Sequence, residues 1–149
     1  MRALVASGLG FLLSVLWFDL MFDVQARRRD GDLVAADARS SISTYYARVT
    51  TGASPMNRLV ALAMLVTLGG LIGVLVRDEL PTWRAVGALV PAIAAIGLAG
   101  ARTVRNAKRL GRAEDDAAVQ SRIAVQVLRD HVTCFVAILA ALLAILLPA

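Results

Sequence analysis

Four long apolar runs dominate the chain, and polar segments or a short turn separate them. None of the four contains Asn, Gln, Asp, Glu, Lys or Arg; they cover residues 3–18, 59–76, 85–101 and 132–148. A helix needs about 20 residues to cross the hydrocarbon core of a bilayer, and each run reaches that length with its flanks. The pattern predicts an all-α polytopic membrane protein, a four-transmembrane-helix bundle with spans at about 3–22, 56–76, 82–102 and 131–148.

Composition supports one membrane domain over residues 1–149. The chain is 58% hydrophobic, and the spans leave little of it for a separate soluble domain. The net charge of +5 would suggest nucleic acid in a soluble protein. Here the basic residues flank the spans, where such residues mark cytoplasmic loops and contact anionic lipid. We therefore expect membrane lipids, and no nucleic acid, as partners.

The basic residues also predict the orientation. The segment between the first two spans holds six of them, the segment between the last two holds seven, and the other side holds three, which accounts for all 16. Cytoplasmic loops carry the excess of Lys and Arg. Residues 23–55 and 103–130 are therefore expected in the cytoplasm, and both termini outside.

Helix-packing signals occur inside and between the spans. Between the first two spans, residues 33–49 place apolar side chains at helical spacing, which predicts a helix lying on the bilayer or over the mouth of the bundle. The second span contains a GxxxG pattern at Gly69–Gly73, which lets a neighbouring helix approach closely. In the third span, small residues recur every four positions and predict a contact stripe; they are Gly87, Pro91, Ala95 and Ala99.

Two carboxylates end the first span. Asp19 and Asp23 are four residues apart and lie on one helix face. Acidic residues at hydrocarbon depth are costly and normally face protein or water, with a partner. The predicted orientation brings the polar ends of all four spans to the same level, as a polar mouth. Its other candidate members are Asn57, Arg58, Arg102, Arg105, Asn106, Arg109, Arg129 and His131.

Two interpretations of this polar mouth are open. It could be a structural network in which Asp19 or Asp23 pairs with Arg102, Arg105 or Arg129, because an unpaired buried charge would be costly. It could instead be a cavity for binding or catalysis, whose arginines would suit an anionic amphiphile.

Metal binding is a weaker interpretation of the same residues. Asp19, Asp23 and His131 are ligand types that hold iron or zinc. The nearby arginines argue against a cation. We therefore expect neither a metal nor a cofactor.

Several segments together resemble small four-span integral membrane proteins of high-GC bacteria, a group without an assigned activity. The resemblance is carried by four stretches, Trp17-Phe18-Asp19 with Asp23, Tyr45-Tyr46, Ser54 to Arg58, and Arg129-Asp130-His131. It implies a multi-pass protein of the bacterial inner (plasma) membrane.

Three functions are compatible with the sequence, and no motif decides whether the chain is an enzyme. The first hypothesis is an interaction or accessory subunit that packs through Gly and Ala helix faces, as a homo-oligomer or in a larger membrane complex. The second is a membrane-embedded enzyme or binder of an amphiphilic anionic substrate at the polar mouth. The third is a small dimeric transporter.

Overall fold

The computed structural model describes residues 1–52 and 54–147. The predicted end of the fourth span, residue 148, lies outside them. Six α-helices account for most of the described chain: α1 (Arg2–Asp23), α2 (Ala36–Ala47), α3 (Ser54–Val76), α4 (Thr82–Leu98), α5 (Val104–Arg112) and α6 (Ala117–Leu146). A 3₁₀ turn (Val24–Arg27) and a two-residue hairpin, β1 (Arg29–Asp30) with β2 (Leu33–Val34), link α1 to α2. π-helical turns at Arg48–Gly52 and Ala99–Thr103 precede α3 and α5.

Four helical segments of the described chain are long and apolar enough to cross a membrane. They are Arg2–Arg27, Met56–Val76, Thr82–Arg112 and Ala117–Leu146. The prediction of an all-α chain with four such helices is thereby confirmed.

The α6 helix is the centre of the bundle. It packs against both α1 and α4, and α3 packs against the same two helices from the opposite side of the bundle. The buried side of α4 is formed by Ala85, Ala88, Ala92 and Ala95, whose short side chains let α6 approach. Of the stripe predicted from the sequence, Ala95 is buried, Pro91 and Ala99 are half-buried and Gly87 is exposed, so the contact face within the chain has a different register. A strict four-residue spacing drifts by about 40° per step around a helix of 3.6 residues per turn, so the buried positions alternate steps of three and four.

Small residues also set the distance between α1 and α3. A β-carbon on Gly70 would lie 2.7 Å from Cγ2 of Val5, whereas one on Gly69 would meet open space. The close approach of these helices therefore depends on Gly70 rather than on the first glycine of the GxxxG pattern.

Met1 and the end of the described chain at Leu147 lie at one end of the bundle, which we call the terminal end. The N-terminal ammonium is 3.2 Å from Oε2 of Glu79, in the turn between α3 and α4. The buried Arg84 donates from Nε to the carbonyl of Ala144 at 3.1 Å, and Arg2 donates to the carbonyl of Ile145 at 2.9 Å. The last carbonyls of a helix lack partners within the helix. Two arginines thus cap α6 and offset the negative end of its dipole.

A second, smaller core closes the opposite end, which we call the capped end. There α2 packs on α5 and on the first half of α6. Ile42 and Tyr46 of α2 are almost fully buried against this core. Ser43 donates from its hydroxyl to the carbonyl of Leu110 at 2.5 Å, and the hydroxyl of Ser121 accepts from the backbone N–H of Val34 at 3.0 Å. The segment between the first two spans therefore lies over the mouth of the bundle.

Gly111 controls how closely α5 can approach α2. A β-carbon at this position would lie 2.8 Å from both the backbone N of Ala47 and the carbonyl carbon of Tyr46. Backbone atoms cannot yield without moving α2, so we expect Gly111→Ala to cost about 1–3 kcal/mol of stability. Unfolding of the purified protein in detergent, followed by circular dichroism, measures this cost.

Gly10→Ala is the matched control, because a β-carbon at Gly10 would meet no other atom within 4 Å. Alanine favours a helix over glycine, so this variant should be as stable as the wild type or slightly more stable. Equal stability of the two variants would contradict the proposed backbone contact.

Candidate functional site

Three helices bring an acidic, histidine and tyrosine cluster together where the bundle meets its capped end. Asp19 and Asp23 extend from the last two turns of α1, one helical turn apart. His131 comes from the middle of α6, and Tyr45 and Tyr46 come from the last turn of α2. The cluster thus joins residues that are more than 100 positions apart in sequence.

Asp23 holds the centre of the cluster. Its carboxylate is 1% exposed, and its Oδ2 lies 2.6 Å from Nδ1 of His131. Its Oδ1 accepts a hydrogen bond from the hydroxyl of Tyr46 at 2.7 Å. An ionised carboxylate only accepts hydrogen bonds, so Nδ1 must carry the proton of the first contact. This bond fixes the orientation of the imidazole ring and leaves Nε2 for another partner.

Asp19 occupies the other side of the imidazole. Its Oδ1 accepts a hydrogen bond from the hydroxyl of Tyr45 at 2.7 Å. Its Oδ2 lies 3.8 Å from Nε2 of His131, which is too long for a direct hydrogen bond. The Asp19 side chain is 17% exposed. One carboxylate oxygen and one imidazole nitrogen therefore face each other without a bond between them.

The two tyrosines serve as hydrogen-bond donors to the carboxylates. Burial, followed by the negative charge of Asp19, raises the pKa of Tyr45 above its ordinary value. Burial and the charge of Asp23 raise the pKa of Tyr46 in the same way. Tyr45 is also stacked on Phe22, with ring centroids 4.0 Å apart. Both hydroxyls consequently stay protonated, and α2 becomes tied to the end of α1.

A cavity of about 340 Å³ adjoins the cluster, between the first half of α3 and the second half of α4. Its polar lining comes from the cluster and from four further residues; these are Asp19, Tyr45, Tyr46 and His131, with Thr50, Asn57, Thr103 and Lys108. Most of its remaining lining is apolar and comes from the four long apolar helices, including Leu16, Val60, Met64, Ile96 and Ile138. The fully buried residues of α3 among those described are all in its second half: Thr67, Gly70, Leu71 and Val74. The first half of α3 is therefore only partly buried against the bundle core, through Val60, Ala63 and Met64, and this looser packing leaves the space.

Arg102 belongs to a different contact. Its guanidinium pairs with the buried carboxylate of Asp130, with Nε to Oδ2 at 2.9 Å. The hydroxyl of Thr103 donates to the same carboxylate at 3.2 Å. The predicted pairing of Asp19 or Asp23 with an arginine is therefore wrong for the residues that the structure describes. Neighbouring residues on a helix point about 100° apart, so Asp130 faces the junction of α4 and α5 while His131 faces α1 and α2.

The other predicted residues lie around the cluster or away from it. Asn57 lines the cavity and donates to the carbonyl of Thr50 at 3.1 Å. Arg109 pairs on the surface with Asp115 at 2.6 Å. Arg105 bonds the carbonyl of Ala101. Exposed or half-buried positions without a part in the cluster are Arg58, Asn106 and Arg129.

Four residues were not predicted as members of the site. Tyr45 and Tyr46 belong to the cluster, and Thr103 and Asp130 belong to the contact of Arg102. The tyrosine pair was visible in the sequence, but its spacing indicated a packing face. A polar atom on an otherwise apolar helix face was the signal that could have identified the tyrosines as hydrogen-bond donors.

The geometry at Asp19, Asp23 and His131 is that of hydrogen bonds. Asp23 approaches His131 directly at 2.6 Å, and both of its oxygens already accept a bond. Within residues 1–52 and 54–147, no three acidic, histidine or cysteine side chains are arranged to hold a metal ion.

No family model, curated protein or solved structure matches this chain, so its function has to be inferred from these residues. The cluster offers Asp19 Oδ2 and the oriented Nε2 of His131 to whatever enters the cavity. Cys134 also lines the cavity, but its thiol donates to the carbonyl of Ala95 at 3.4 Å. These two groups can form hydrogen bonds with a ligand and exchange a proton with it.

His131 is the only histidine in the chain, so its ring signals in a nitrogen-15 NMR spectrum need no assignment. We expect Asp23→Asn to remove the proton from Nδ1: when the amide oxygen accepts from Tyr46, the amide nitrogen donates to Nδ1, which then has to be unprotonated. We also expect this variant to lose about 1.5–3 kcal/mol of stability, the net contribution of a hydrogen bond to a charged group.

Asp37→Asn is the matched control, because Asp37 pairs with Arg28 at 2.7 Å on the surface. Removing the charge of Asp37 should leave both the nitrogen-15 spectrum of His131 and the unfolding transition nearly unchanged. An unaltered Nδ1 signal in Asp23→Asn would contradict the bond between Asp23 and His131.

Proposed function

We propose that this chain is a multi-pass plasma-membrane protein that binds a small amphiphile through a hydrogen-bond-donating head group, preferably an amine. The observation that carries the proposal is the apolar cavity ending at Asp19 and His131. Its volume of about 340 Å³ lies at the lower end of the range of about 300–1,000 Å³ for ligand pockets. It would hold a head group and part of an alkyl chain.

The charges around the cavity favour a donor over an anion. Asp19 and Asp23 supply two carboxylates to one imidazole, and Arg102 is engaged with Asp130 outside the lining. Lys108, the basic residue of the lining besides His131, is exposed. An ammonium or hydroxyl could donate to Oδ2 of Asp19 and complete the contact with Nε2 of His131. A cationic head fits better than the anionic one expected from the arginines alone.

We further propose that the capped end faces the cytoplasm, with both termini outside. The uneven distribution of basic residues supports this orientation. Arg2 and Arg84, two basic residues of the terminal end, bind carbonyls of α6 and offset its dipole. They therefore have a structural reason to lie at that end, which is consistent with the proposed orientation. The amphiphile would then enter from the cytoplasmic leaflet, between α3 and α4.

The proposal is tested with three probes that share a 12-carbon chain: dodecylamine, dodecanol and dodecanoate. Each is added to the purified protein in a maltoside detergent, and thermal unfolding is followed by circular dichroism. A ligand at 100 times its Kd stabilises the folded state by about 2.7 kcal/mol. We expect dodecylamine to stabilise most, dodecanol less and dodecanoate least.

Asp19→Asn should abolish the effect of dodecylamine, since it removes the charge that the amine contacts while keeping the shape of the side chain. Asp37→Asn, an equal change of charge on the surface, should keep the effect. A stabilisation that persists in Asp19→Asn, or that is as large with dodecanoate, would rule the proposed ligand class out.

Self-association is a second candidate function, and the outward face of α4 favours it. Gly87, Ala94 and Gly97 are exposed there, and both glycines have open space above them. A second copy of this chain could therefore bring a helix close to the α4 backbone.

The third hypothesis from the sequence, a small dimeric transporter, stays a prediction.

Replacing Gly87 and Gly97 together by leucine should lower the molar mass of the protein in detergent if α4 forms such an interface. Light scattering after size-exclusion chromatography measures the mass, and Gly10→Leu, at another glycine with open space, is the control. A wild-type protein that is already monomeric would exclude this role under those conditions.

A further inference from the structure

A basic groove runs beside α6 at the capped end, apart from the cavity of Asp19 and His131. Its volume is about 550 Å³, and none of its lining residues lines that cavity. The 3₁₀ turn after α1 forms one side and the middle of α6 forms the other. We define the basic groove by its lining: Ala26, Arg27, Arg29, Val125, Leu128, Arg129, Val132 and Thr133.

Three arginines and no carboxylate line the basic groove. In the described part of the chain, Arg27 and Arg129 form no ion pair, and Arg29 contacts only the backbone carbonyl of Asp32, at 3.4 Å. Three other arginines of the same end do have acidic partners, namely Arg28 with Asp37, Arg102 with Asp130 and Arg109 with Asp115. The groove is therefore a concentration of positive charge that the protein itself leaves uncompensated.

Acidic side chains nearby do not neutralise this charge. Asp32 and Asp130 line an adjoining cavity of about 640 Å³, which shares Arg29 and Arg129 with the basic groove. The carboxylate of Asp130 is already bound by Arg102 and Thr103. Guanidinium groups bind phosphate oxygens in a bidentate manner, so an anion with several oxygens suits this groove.

The position of the groove selects the kind of anion. Val132 and Thr133 belong to its lining and also begin the uncharged run of α6. Val132 and Val136 are exposed on that run, so an apolar surface continues from the groove along the span. A ligand that uses both features has a phosphate at one end and acyl chains at the other.

We propose that the basic groove binds the headgroup of an anionic phospholipid, with the phosphate held by Arg27, Arg29 and Arg129. The acyl chains would then follow α6 past Val132 and Val136. The lipid is a bound partner at the edge of the bundle. Its site is separate from the amphiphile site in the cavity, and the two can fail independently.

The test counts lipids retained by the full chain in native mass spectrometry from a maltoside detergent. Phosphatidylglycerol and phosphatidylcholine with identical acyl chains are the probes, and inorganic phosphate is the third. We expect wild-type protein to retain phosphatidylglycerol at concentrations at least tenfold lower than phosphatidylcholine, and inorganic phosphate not to displace it at millimolar concentration.

The double variant Arg27→Gln with Arg129→Gln should lose this preference. The matched control, Arg28→Gln with Arg109→Gln, removes the same charge from paired surface arginines and should keep it. A third variant, Arg27→Lys with Arg129→Lys, keeps the charge and the fold but removes the guanidinium forks, and we expect an intermediate preference.

Three results would overturn the proposal. Equal loss in both glutamine variants would indicate attraction by net charge alone. Retention of both lipids to the same extent would exclude recognition of the headgroup. Displacement of phosphatidylglycerol by millimolar inorganic phosphate would assign the groove to a free anion instead of a lipid.

Discussion

The contact between Asp23 and His131 is the interaction on which the architecture of the capped end depends. A buried carboxylate is costly without partners, and Asp23 obtains them from two other helices, α2 and α6. Its burial therefore requires α2 to lie over the bundle mouth and the imidazole to keep one orientation. Fold and candidate site are stabilised by the same hydrogen bonds.

Polar side chains bind different kinds of partner at the two ends of the molecule. At the terminal end, Arg2 and Arg84 bind the free carbonyls of α6 and so complete a helix end. At the capped end, Asp130 engages Arg102, while Asp23 engages His131. This division keeps the arginines out of the cavity lining, whose acidic and basic side chains are Asp19, Lys108 and His131.

The cavity and the basic groove follow from how each helix distributes its small and large residues. Alanines along α4 allow α6 to approach over the full length of α4. In contrast, α3 has its close contacts, such as Gly70 with Val5, in its second half. The cavity left beside its first half has Asp19 in its lining. On the other side of α6, arginines without acidic partners border an apolar surface at the edge of the spans.

The sequence by itself determined the four apolar helices, because their length and lack of charge suffice to define them. It also determined the i, i+4 placement of Asp19 and Asp23, which depends only on helix geometry. The tertiary structure alone decided the partners: that Asp23 binds His131 and Tyr46, and that Arg102 turns to Asp130. Those choices depend on the rotation of each helix about its axis, and a shift of one position points a side chain about 100° away.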